Sequence, residues 1–119
     1  MIPEDVQTRI DGLKAAGFVV QAITIAGTKF IYRSVNRGEF RQLQEALTKE
    51  AEEAKKTLKE DQLEQAALQI RDRGEDRLLN LGLVHPSISE NTPAGALTTL
   101  ADLIMQASGF GVETEPETL

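Results

Sequence analysis

The 119-residue chain has no cysteine, no tryptophan, one histidine and one tyrosine. Without cysteine it can build neither a disulfide framework nor a thiolate metal site. One histidine cannot form an all-nitrogen zinc site. Aromatic residues are only 4% of the chain, so a core must rest on Leu, Ile, Val and Ala. Such a core is modest, and partner binding would supply part of the working stability. No stretch approaches the roughly 20 apolar residues of a membrane span. The opening MIPEDVQTRI lacks the basic and apolar regions of a signal peptide. These absences predict a soluble intracellular protein.

Charge is plentiful but uneven. Thirteen basic and nineteen acidic residues give a net charge of −6. Residues 1–48 carry six basic and five acidic side chains, and residues 49–119 carry seven and fourteen. An acidic chain is poorly suited to nucleic acid, where phosphate neutralisation supplies much of the affinity. Lys29, Arg33, Arg37 and Arg41 could form a local basic patch in the amino-terminal part, and ordinary solvated charges explain them more simply.

Val6, Ile10 and Leu13 recur at helical spacing after Pro3, which predicts a helix over 3–16 stopped by Gly17. The β-branched and aromatic run FVVQAITIAGTKFIYRSV then predicts strands over 18–25 and 29–35, joined around Ala26-Gly27-Thr28. Alternation places Phe30, Tyr32 and Ser34 on one face, with Ile31, Arg33 and Val35 on the other. Two strands alone are marginal and need flanking helices or a partner's sheet to cover a face.

Asn36 and Glu39 have the spacing of a helix capping box. Phe40, Leu43, Leu47, Ala51, Ala54 and Leu58 follow as one helical stripe, predicting a helix over 37–59. Phe30, Tyr32, Asn36, Glu39, Phe40, Leu43 and Leu47 form the expected structural joint between strand and helix. From Lys49 to Glu64 ten of sixteen residues are charged, a pattern of a solvated helix leaving the core. Helix resumes through Leu63, Ala67 and Ile70, passes Gly74 and ends at Gly82 and Pro86. A break near Gly74 or near Glu60-Asp61 would fold this rod into a helical hairpin, and the sequence leaves both open.

HPSISENTPAG reads as a loop, and a last helix is predicted over 95–107, stopped by Ser108-Gly109. The acidic tail GVETEPETL is predicted to be mobile. The fold class is therefore α+β, mainly α. An amino-terminal helix and β-hairpin precede a long charged helix and a short carboxy-terminal helix. One domain results, from four segments. Residues 1–48 hold the helix, the hairpin and the start of the long helix. Residues 49–84 are a charged helical extension, 85–110 are the loop and last helix, and 111–119 are the tail.

Catalytic constellations do not assemble. His85 and Ser87 lie two positions apart in a loop with no orienting third group. RGED lacks the ligand spacing of a calcium loop. GTK at 27–29 has Ala22 where a phosphate-binding loop needs glycine. GFG at 109–111 leads into the acidic tail rather than a helix. No enzyme activity and no cofactor is expected.

Three ordered segments carry a resemblance. KFIYRSVNRGEFRQLQ, EDRLLNLGLVHPSI and PAGALTTLADLIMQASGF together resemble small tail-assembly chaperones of long-tailed bacteriophages, or a related small baseplate or hub assembly protein. The likeness covers about Phe30 to Phe110. Ser34-Val35 stand where that family often has proline, and residues 1–29 have no counterpart. The family has no catalytic residues to carry over. The resemblance implies transient, non-covalent binding of the helical tape-measure protein or another tail protein in the host cytoplasm. The alternative is a baseplate or tail-completion subunit retained in the virion. Its partners are then phage tail proteins, with homo-oligomer formation also open and neither nucleic acid nor membrane expected. The stripe Leu100, Leu103, Ile104 and Phe110 is the expected docking surface, with core packing an equal alternative for each residue.

Overall fold

Ala26 and Gly27 both have positive φ, 50° and 81°, as a two-residue hairpin turn with right-handed strand twist requires. This turn joins β1 (Val20–Ile25) to β2 (Thr28–Arg33), in the register Val20 to Arg33 through Ile25 to Thr28. The computed structural model describes residues 2–110. The other elements are α1 (Glu4–Ala15), α2 (Arg37–Thr57), α3 (Glu60–Gly82), β3 (Leu83–His85) and α4 (Ala94–Ala107). The expected α+β, mainly α class is what the chain adopts. The predicted tail beyond Phe110 lies outside the described residues.

The strand order is β1-β2-β3, all antiparallel, so β2 is central and covered on both faces. Phe30 and Tyr32 point into a core with Leu78, Leu79, Leu100 and Ile104 from α3 and α4. Ile31 points the other way, against Val84 and against Val6 and Ile10 of α1. The period-two alternation of the strand is thus used twice, one face per helical layer. β3 was not foreseen. Its three residues are too few for a periodic signal and become a strand only because the edge of β2 is there to pair with.

α2 begins where the capping box predicted. Asn36 Oδ1 accepts from the Glu39 amide at 2.8 Å, and Glu39 Oε1 accepts from the Asn36 amide at 3.1 Å. The helix ends at Thr57, two residues short of the prediction, because Leu58 and Lys59 adopt extended backbone. α3 then packs back along α2, so the charged rod is a helical hairpin. The break falls beside Glu60-Asp61 and not at Gly74. Gly74 stays inside α3, where a Cβ would lie 3.1 Å from both Leu47 methyls. The glycine lets α2 and α3 approach closely, which is why it does not interrupt the helix.

No residue from 48 to 73 is buried. The outer turns of α2 and α3 therefore form an arm projecting from the core. The Cα radius of gyration is 17.0 Å. A compact domain of this length would have about 13.5 Å.

Candidate protein-interaction surfaces

The strand–helix joint is fully assembled. Phe30, Tyr32 and Leu43 are buried, with Phe40 and Leu47 packed against them. Arg33, leaving β2, donates to both carboxylate oxygens of Glu39, at 2.9 and 2.7 Å. Its guanidinium also lies 4.5 Å from the centroid of the Phe18 ring. Hydrogen bonds from Arg33 hold the Glu39 carboxyl below the usual carboxylate range; partial burial opposes them and the Asn36 amide reinforces them. The far end of α4 is sewn to the same joint. The Val35 amide donates to Ser108 Oγ at 2.8 Å, and the rings of Phe40 and Phe110 lie 4.6 Å apart.

The carboxy-terminal stripe is placed differently from the docking expectation. Leu100 and Ile104 have 0% exposure and belong to the core. Leu103 is half-buried against the same core, and Phe110, at 39% exposure, rests on Phe40. The cause is the apolar face of β2. Phe30 and Tyr32 need a helical layer over them, α4 supplies it together with α3, and its apolar side is consumed there. The contact is close: a Cβ on Gly82 would sit 2.5 Å from Ile104 Cδ1.

The arm carries the open apolar surface instead. On one flank of the α2–α3 seam, Glu50 accepts from Arg73 Nε at 3.2 Å and is paired with Arg77. These hydrogen bonds, first from Arg77, lower the Glu50 pKa. At 100° per residue, Ala51, Lys55 and Ala67 lie on the other flank. There the seam is a groove of about 300 Å³ lined by Ala51, Ala54, Lys55, Leu63, Ala67 and Ile70. Leu68, at the next position of α3 after Ala67, is 58% exposed. The stripe residues of this groove were visible in the sequence, but the turn at Leu58-Lys59 that sets them face to face was not.

Of the remaining candidates, Arg33 is engaged inside the joint, so a basic patch would have to form around Lys29, Arg37 and Arg41 alone, all exposed. His85 pairs with Ile31 in β3, and Ser87 is exposed in the loop beyond it. A cleft of about 450 Å³ between α1 and α3 is lined by Arg9, Leu13, Arg33, Asn80 and Leu83. Among the described residues no three His, Asp or Glu side chains cluster as metal ligands, and no helix is long and apolar enough to cross a membrane.

The chain matches no family model, no curated protein and no solved structure.

Proposed function

We propose that this chain is a non-enzymatic tail-assembly chaperone of a long-tailed bacteriophage, acting in the host cytoplasm on the tape-measure protein before the tail tube forms. The observation that carries the reading is the apolar groove of the α2–α3 arm, which stands outside the core and is covered by none of the described residues. The three sequence segments resembling that family add to it.

Alanines at 51, 54 and 67 leave room for the backbone of an incoming helix, while Leu63 and Ile70 receive its apolar side chains. A tape-measure helix with apolar residues at i, i+3, i+4 and i+7 has the matching stripe. Lys55 at the rim offers a partner for an acidic residue flanking it. The excess of acidic residues in the second half of the chain keeps such a complex soluble while the client's apolar surface is masked. Binding by burial without a reacting group explains why no nucleophile–base pair is needed.

Co-expression with the tape-measure protein tests this. The wild-type chain should co-purify with it. Ala67→Asp, at an exposed position, should keep the helical circular dichroism and lower recovery of the complex at least tenfold. Equal recovery with both chains, or none with either, would contradict the proposal.

A further inference from the structure

β1 is an edge strand, with no other strand beside its outer edge among the described residues. Its Ser34-proximal end fixes which backbone groups face outward: the Ser34 amide donates to the Val19 carbonyl at 2.8 Å, and Val19 N–H donates to Ser34 Oγ at 2.9 Å. Val19, Gln21, Ile23 and Ile25 are therefore the positions bonded toward β2. Val20, Ala22 and Thr24 turn their N–H and C=O groups to the open edge.

Edge strands in soluble proteins are usually blunted by charge, proline or shortness. β3, the other edge, is three residues long and is followed by Pro86. β1 has neither protection. It lies within the longest charge-free stretch of the chain, the fourteen residues from Ala15 to Thr28. Its core-facing side is also incompletely covered, with Ile23 and Ile25 half-exposed and Val19 44% exposed.

We infer that two copies of the chain pair through β1, edge to edge and antiparallel, to give a continuous six-stranded sheet. The strand is complementary to itself about a two-fold axis at Ala22. Val20 then bonds with Thr24 of the second copy, Ala22 with Ala22, and Thr24 with Val20, so that all six outward N–H groups find acceptors. On the core-facing side Val19 meets Ile25 of the second copy, which covers the exposed valine. Gln21 faces Ile23, and its side chain is already held by the Tyr32 hydroxyl at 2.9 Å. The smallest residue of the strand sits on the axis, and no two like charges stand opposite one another. The pairing uses a surface separate from the arm groove and does not depend on the chaperone reading.

The test uses the full chain alone. Sedimentation over a wide concentration range should show a monomer–dimer equilibrium, with amide exchange at Val20, Ala22 and Thr24 slowing as dimer accumulates. Ala22→Lys and Ala22→Glu each place like charges face to face on the axis and should raise the dissociation constant at least tenfold. Mixing the two variants should restore a dimer. Because Ala22 is exposed, both variants should fold. A monomer at every concentration would overturn the inference. So would a dimer that both variants preserve, or one in which those three amides exchange no more slowly.

Discussion

Arg33 and Glu39 are joined by two parallel hydrogen bonds, Nη1 to Oε1 at 2.9 Å and Nη2 to Oε2 at 2.7 Å. The same Glu39 oxygen Oε1 also receives the Asn36 amide at 3.1 Å. One carboxylate thus ends the strand, caps the helix and, through Arg33, reaches the Phe18 ring. A bidentate charged pair of this kind fixes orientation as well as adding energy.

Glu39→Gln should cost about 1–2 kcal/mol at neutral pH, since Arg33 would lose a charged acceptor. The carboxyl has a lower pKa folded than unfolded, so its contribution is complete above the ordinary carboxylate value and is lost as pH falls through the folded one. The stability gap between wild type and Glu39→Gln, measured by urea denaturation, should therefore narrow toward pH 3. A gap independent of pH would remove the ion pair from the account.

Asn36→Ala should destabilise by about 1 kcal/mol, the usual effect of losing a helix cap. Because Asn36 and Glu39 bond each other reciprocally, the double substitution should cost less than the sum of the singles. Strict additivity in a double-mutant cycle would show that the box does not act as a unit.

Gly82 and Gly74 should respond unequally to alanine. At Gly82 the new Cβ would lie 2.5 to 2.9 Å from three atoms of Ile104, which has 0% exposure and no room to yield. A loss of about 1–3 kcal/mol is expected from such overpacking. At Gly74 the neighbours are the ends of half-buried Leu47, and alanine gains about 1 kcal/mol of helix propensity. Gly74→Ala should be close to neutral. Thermal melts that reverse this order would contradict the packing described.

Ile104→Asp should abolish the fold, because it buries an unpaired carboxylate at a fully enclosed site. Near-native helical circular dichroism in that variant would show that α4 can leave the core, and would return its stripe to consideration as a docking surface.

The local elements were legible because each had a local cause. The positive-φ pair at Ala26-Gly27, the Asn36–Glu39 box and the stripe from Phe40 to Leu58 all act over a few residues, and each formed within two residues of its expected bounds. What depended on distant partners was not legible. Gly74 reads equally as a break or as a close approach until Leu47 is known to lie against it. Leu100 and Ile104 make a stripe that suits a partner or a core, and only the uncovered face of β2 decides between them. The short β3 exists through pairing alone. The arm groove depends on the Leu58-Lys59 turn, where no glycine or proline marks the reversal.

Quantitative mass spectrometry of tail-assembly intermediates and finished particles from infected cells tests the central claim most directly. This chain should accompany the tape-measure protein in the intermediates and be absent from the virion. Stoichiometric presence in finished virions would contradict it in favour of a baseplate or tail-completion subunit, and absence from both would contradict the bacteriophage assembly role altogether.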